Sequence, residues 1–255
     1  MASRSSASDL GAVTALRRPD GGRSFIDLHC HTSASFDCLS APAAVVRAAA
    51  SRGLTHLAVT DHETVGGALE AREAARTDAP DLTVIVGEEV RTQEGDLIAL
   101  FIERAVPRGL SMTETIAAVR EQGGLVGVPH PFDRYRGSLL QALAGSSLES
   151  PVDWIEAHNA RVMVGDGNAQ AAAYAAQHGL PGVAVSDAHS VLEVGVAYTA
   201  LDGDPGTPAG LLAALPTGEL VTGRASYYVR LITPMAKVVQ RLRGNRRPVA
   251  AGDPS

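Results

Sequence analysis

Histidines and carboxylates recur along this chain in tight groups: His29 and His31, Asp61 and His62, Glu88 and Glu89, His130, His158 and Asn159, and Asp187 and His189. Side chains alternate across a strand, so two histidines separated by one residue share a face and can bind one metal. His29 and His31 have that spacing, and Asp187 and His189 repeat it. Mixed imidazole and carboxylate donors suit Zn, Mn or Fe, whereas an all-oxygen set would suit Mg or Ca. A lone histidine is usually an ordinary core or surface residue, and His56 and His178 are read that way. The other six of the eight histidines fall at the ends of apolar runs, beside carboxylates.

Those ends define the elements that must position the groups. From Phe25 onward short apolar runs alternate with longer amphipathic ones, as strands alternate with helices. The pattern predicts strands over 25–31, 57–60, 83–89, 97–102, 125–129, 154–158 and 182–186. Helices are predicted over 43–52, 66–76, 113–122, 168–178 and 208–215. Ser40 and Pro42 open the first helix, Gly53 closes it, and Gly179 with Pro181 closes the fourth. Such alternation implies a parallel sheet, and the polar groups all fall at the carboxyl ends of the strands. A closed barrel, which builds its site at that end, fits best.

Length and composition narrow the function. The 255 residues can form one large core or two small ones, and 45% hydrophobic content excludes general disorder. A net charge of −6 with 4% aromatic residues counts against a grip on long nucleic acid. No apolar run reaches the roughly 20 residues of a membrane span. Cys30 and Cys38 form no disulfide or zinc-ribbon pattern, which fits the cytoplasm. Residues 1–23 are expected to be a disordered lead-in, 24–235 the folded domain and 236–255 a basic, flexible tail. That tail holds Lys237, the only lysine, and Arg241, Arg243, Arg246 and Arg247. The oligomeric state is left open.

The series DLHCHT at 27–32, TDH at 60–62, GEE at 87–89, PHP at 129–131, EAHN at 156–159 and SDAH at 186–189 resembles the PHP (polymerase and histidinol phosphatase) family of metal-dependent phosphoesterases. The motifs follow family order over most of the chain. The resemblance implies a distorted seven-stranded β/α barrel holding up to three divalent transition metals. It implies one metal on His29, His31, Glu89 and Asp187, with Glu89 bridging to a second that also takes His130 and a fourth-motif residue. A third would lie on Asp37, His62 and His189. At the fourth motif many family members carry a histidine where this chain has Asn159, and His158 is one position off. Strand alternation turns those two side chains to opposite faces, so at most one of them faces the metals, and Asn159 is the one expected to be a metal ligand.

Arg134, Arg136 and Arg161 follow the PHP and EAHN motifs, and guanidinium groups there could clamp phosphate oxygens. Asp61, beside His62, could orient a histidine ligand. The expected reaction is hydrolysis of a small phosphomonoester or nucleotide by water acidified between metals. A nuclease acting on nucleic acid ends, or a metal-binding partner protein without turnover, are the alternatives.

Overall fold

The apolar runs form strands in the computed structural model, which describes residues 22–136, 138–142, 151–225 and 229–246. In chain order these are β1 (Arg23–Asp27), α1 (Pro42–Ser51), β2 (His56–Val59), α2 (Gly66–Asp78), β3 (Thr83–Arg91), β4 (Asp96–Leu100), α3 (Met112–Glu121) and β5 (Leu125–Val128). There follow α4 (Leu139–Ala142), β6 (Trp154–Asn159), α5 (Gly167–His178), β7 (Gly182–Val185), β8 (Tyr198–Asp202), α6 (Pro208–Ala214), β9 (Glu219–Val221) and α7 (Val229–Leu242). Local chemistry sets the helix ends. Pro42 begins α1, Ser111 and Glu114 cap α3 reciprocally, and Gly179 ends α5 at φ 64°.

One sheet runs in the order β7-β6-β5-β4-β3-β2-β1-β8-β9. It differs from the expected seven parallel strands in two respects. First, β4 is antiparallel to both neighbours, because residues 92–95 connect it to β3 and are too short for a crossover. There Thr92 and Gly95 close a tight turn through Thr92 N to Gly95 O at 2.9 Å. Second, β8 and β9 are added, each antiparallel to its neighbour. No helix separates β7 from β8, so a search for strand and helix in alternation passes over them.

The sheet curls into a nearly closed barrel. Where β7 approaches β8, the Thr199 hydroxyl accepts from Ala184 N at 2.9 Å and donates to Ala184 O at 3.1 Å. Above it His31 N donates to Ala188 O at 2.9 Å. Asp27 accepts from Ser186 N at 3.0 Å and from Gly195 N at 3.1 Å across the same seam. The barrel interior is filled by Ile26, Leu28, Ile85, Ile98, Leu100, Trp154 and Val185, among others. Gly127 makes room for the indole, since a Cβ there would lie 2.1 Å from Trp154. A second apolar layer packs the helices on the outside. The polar groups therefore have one place left, the rim above the filled interior.

The chain does not leave the fold at residue 236, as the flexible-tail expectation had it. Ala236 and Gln240 are buried in α7. Gln240 Nε2 donates to the carbonyls of Ser33, Ser35 and Cys38 at 2.8, 3.0 and 2.7 Å. Arg241, Arg243 and Arg246 are exposed. The lead-in over 1–21 and the last nine residues, Arg247 included, lie outside the described residues. No helix among the described residues is long and apolar enough to cross a membrane.

The seam yields a test. Thr199→Val leaves the buried Ala184 N–H and C=O without their partner, and should cost about 1–3 kcal/mol in thermal or urea denaturation. Thr199→Ser, which keeps the hydroxyl, should lose less.

Candidate metal centre

Several strands, distant in sequence, deliver the parts of a buried cluster at the barrel mouth. His29 and His31 follow β1, His62 follows β2 and Glu89 lies in β3. His130 follows β5, and Asp187 and His189 follow β7. Asp37 comes from the loop before α1. All these side chains are buried except His62, which is partly exposed. Three groups have donor atoms mutually within 4.8 Å and could hold a metal: His29, His31 and Asp187; His31, His62 and His189; and Glu89, Asp96 and His130. His130 and Asp187 have φ of 27° and 51°, in the left-handed region that costs a non-glycine residue about 1–3 kcal/mol. The chain leaves both strands by a sharp turn that aims these side chains at the cluster.

The hydrogen-bond network assigns the imidazole tautomers. His29 Nδ1 lies 2.7 Å from Glu156 Oε1, and His189 Nδ1 lies 2.9 Å from the carbonyl of Asp187. Both partners only accept, so each Nδ1 carries the proton. Ser35 donates its single hydroxyl proton to Asp61 at 2.8 Å, so it accepts from His31 Nδ1 at 3.1 Å. Three imidazoles therefore turn Nε2 inward. The Nε2 atoms of His29 and His31 stand only 3.0 Å apart. Two lone pairs at that distance need a cation between them.

The charges agree with this. Burial pulls His31 down, helped by the neighbouring charge of His189, to a pKa of about 3. Against burial, Asp187, Glu156 and Glu89 hold His29 well above its usual range. Burial opposes the charge on His62 too, yet Glu89 and Asp37 push it up to about 9. Despite burial, Asp37, Glu89 and Asp187 stay below the usual carboxylate range beside these imidazoles and Arg136. Asp37 Oδ1, His130 Nδ1 and Asp187 Oδ1 are buried with no hydrogen-bond partner. Orphaned donors around converging lone pairs are the chemistry of a cation site, and the residues fit a metal.

At the fourth motif the arrangement departs from a simple ligand substitution. A register shift in β6 between Glu156 and His158 turns Glu156 and Asn159 to the same side. His158 points away and its Nε2 lies 2.8 Å from the Gly223 carbonyl. Asn159 faces the cluster, but its amide donates to Glu156 Oε2 at 2.8 Å and Asp187 Oδ2 at 3.0 Å, while Oδ1 accepts from Arg161 N at 2.9 Å. Its amide nitrogen thus bridges two carboxylates, while its oxygen holds the Arg161 backbone. Asp96 is the residue grouped with Glu89 and His130. Sequence reasoning missed it because it starts a strand. In antiparallel β4 that start lies opposite Arg91, at the rim where the parallel strands end. Glu88 faces away from the cluster, accepting from Val106 N at 2.8 Å, and burial pushes its pKa up to about 8.

Asp61 also acts at one remove. It accepts from Thr32 N and Thr32 Oγ1, both at 2.6 Å, and reaches His31 only through Ser35. Gly67 in α2 must lack a side chain for this, because its Cβ would lie 2.1 Å from Asp61 Oδ2.

A cleft of about 280 Å³ opens above the cluster. Arg136 and Arg161 line it, whereas Arg134 is exposed and is not part of its wall. Arg136 bonds Asp187 and approaches Asp133 Oδ2 at 3.4 Å. Arg161 bonds Glu193 Oε1 at 3.1 Å and Thr233 Oγ1 at 2.9 Å. Lys237 and Arg91 line it as well, and neither was expected from the sequence. His56 and His178 lie away from the cleft, paired with Asp204 at 3.0 Å and stacked on Tyr174 at 4.1 Å.

Comparison with known proteins places this geometry. The PHP domain model matches residues 27–144 and the PHP-associated model residues 165–220. An uncharacterized protein of Methanocaldococcus jannaschii is 33% identical over 144 residues, which cover 52% of this chain and 81% of that protein. A 5'-3' exoribonuclease of Haemophilus influenzae is 32% identical over 119 residues, 42% of each chain. The crystal structure of a two-domain Bacteroides vulgatus protein, described as containing a predicted PHP-like metal-dependent phosphoesterase, has a TM-score of 0.65 at 17% identity. That match covers 82% of this chain and 68% of the other. The barrel, its rim of imidazoles and carboxylates and the matched motifs agree: the chain belongs to the PHP family of metal-dependent phosphoesterases.

Proposed function

We propose that the protein hydrolyses a small phosphomonoester or nucleotide, using up to three divalent transition metals of the Zn, Mn or Fe kind. The observation that supports this most is the 3.0 Å approach of two Nε2 atoms whose Nδ1 protons point outward. His29, His31, Glu89 and Asp187 would hold one metal. Glu89, His130 and Asp96 would hold a second, and Asp37, His62 and His189 a third. When bound, such metals supply an acidified water and positive charge for the phosphoryl oxygens.

The chain's own groups prepare that chemistry. Glu156 fixes the His29 ring and the His130 backbone N–H with one carboxylate, at 2.7 and 2.8 Å. The Asp61, Ser35 and His31 relay does the same on the opposite side, so neither ring must reorient during turnover. Arg136 stands between Asp187 and the open cleft. Its fork has five N–H groups and leaves donors beyond the Asp187 and Asp133 contacts for an anionic oxygen. The catalytic unit on this reading extends from residue 24 through α7.

Cleavage at the end of a nucleic acid strand is the second reading, favoured by the similarity to the exoribonuclease. The net charge of −6 and sparse aromatics argue for a short substrate. Phosphomonoesters, dinucleotides and single-stranded oligonucleotides assayed side by side distinguish the two. The first reading predicts that phosphomonoesters and mononucleotides turn over fastest, and preference for oligonucleotides contradicts it.

Two further outcomes are expected. The protein should purify with transition metal, and EDTA should lower both activity and thermal stability, since the ligands tie together distant strands. Metal must displace protons from His29 and His62, whose folded pKa values are raised. Affinity should therefore strengthen as pH rises, including through about 9, where His62 loses its proton. Elemental analysis without metal, and activity indifferent to EDTA, would refute the assignment.

Glu156→Gln and Asp96→Asn should each weaken metal binding, the former by about 10- to 100-fold, as measured by competition with a chelating dye. His178→Ala, on the outer surface, should leave binding unchanged. Loss in His178→Ala as large as in Glu156→Gln would show the barrel-mouth assignment to be wrong.

A further inference from the structure

The basic residues lining the cleft differ in how far their charge is already engaged. Arg91 Nη1 lies 2.8 Å from Asp96 Oδ1, Arg136 bonds Asp187 and Asp133, and Arg161 lies 3.1 Å from Glu193 Oε1. Each guanidinium is already paired with a carboxylate. Lys237 is different. Its one ion pair among the described residues is 4.0 Å long, to Asp37 Oδ2, and its side chain is 52% exposed.

The ammonium is nonetheless well placed. Thr233, Ala236 and Gln240 fall on the inner face of α7, at i, i+3 and i+7. Gln240 fastens that face to the 33–38 loop, and Arg161 fastens Thr233 at 2.9 Å. Asn245 Nδ2 adds a bond to Ala34 O at 3.1 Å just past the helix. Lys237 is one turn beyond Thr233, so both line the cleft. Its Nζ sits 5.5 Å from the centre of the Phe36 ring, a cation–π contact that steadies the stem without neutralising the head. Met235, Val238 and Leu242 face away and are exposed.

We infer that Lys237 is a substrate-binding residue: α7 carries its ammonium over the mouth of the barrel to contact an anionic oxygen of the substrate. This rests on the phosphoesterase reading for the identity of the anion. It assigns α7 to the active site, where it supplies the cation least engaged by the carboxylates of the rim. Arg161 then acts as a positioning residue, holding the helix that presents Lys237.

The test compares the full-length, metal-loaded protein with Lys237→Met. Inorganic phosphate is titrated by calorimetry, metal content is measured for both, and KM is determined for p-nitrophenyl phosphate. The expected result is phosphate binding weaker by about tenfold in the variant, as for loss of one hydrogen bond to a charged group, with KM raised by a similar factor and metal content unchanged. Phosphate affinity within twofold of the parent, or no phosphate binding by the parent, overturns the inference. So does loss of metal in the variant, which would show that Lys237 acts through Asp37. If the parent fails to hydrolyse phosphomonoesters while the tenfold loss of phosphate binding persists, the proposed function falls and the anion contact stands.

Discussion

The approach of the His29 and His31 Nε2 atoms to 3.0 Å is the constraint around which the mouth of the barrel is organised. Two imidazoles side by side on one strand would rotate to relieve that contact if their outer nitrogens were free. They are not free. Glu156 holds one and the Ser35 hydroxyl, itself fixed by Asp61, holds the other. Burial prevents water from entering to mediate, because both side chains have essentially no exposure. The repulsion therefore persists until a proton or a metal neutralises it, and Glu89 and Asp187 stand within 3.3 to 3.7 Å of both Nε2 atoms to supply the balancing charge.

This arrangement depends on strands far apart in sequence, and the fold brings them together across the seam between the two ends of the sheet. Asp27, at the end of β1, binds the segment after β7 and so fixes His29 and His31 relative to Asp187. The filled interior beneath leaves no space for the polar layer to sink. The left-handed backbone at His130 and Asp187 is strain held by these surroundings. Such strain is tolerable where it aims a side chain at a common point.

Much of this was legible in the sequence, for a physical reason. Strand ends in a parallel barrel converge, so a ligand-type residue at each end already implies proximity. The same rule hid Asp96, because it assumes that every strand runs the same way. It also hid β8, which no helix separates from β7, and the short β9 that pairs with it. The fourth motif was ambiguous because strict alternation would send Glu156 and Asn159 to opposite faces. The register shift that brings them together leaves no signal in residue type. Lys237 was hidden by composition. A polar, Arg-rich ending reads as solvated chain, and only the packing of Gln240 against the 33–38 loop shows α7 to be part of the fold.

The most direct measurement is a crystal structure of the protein as purified, with anomalous maps collected above and below the Zn, Mn and Fe absorption edges. The account predicts an anomalous peak between the Nε2 atoms of His29 and His31, and others beside Glu89, Asp96 and His130 and beside Asp37, His62 and His189 where the sites are filled. Absence of density between His29 and His31, with the two rings rotated apart, would contradict it.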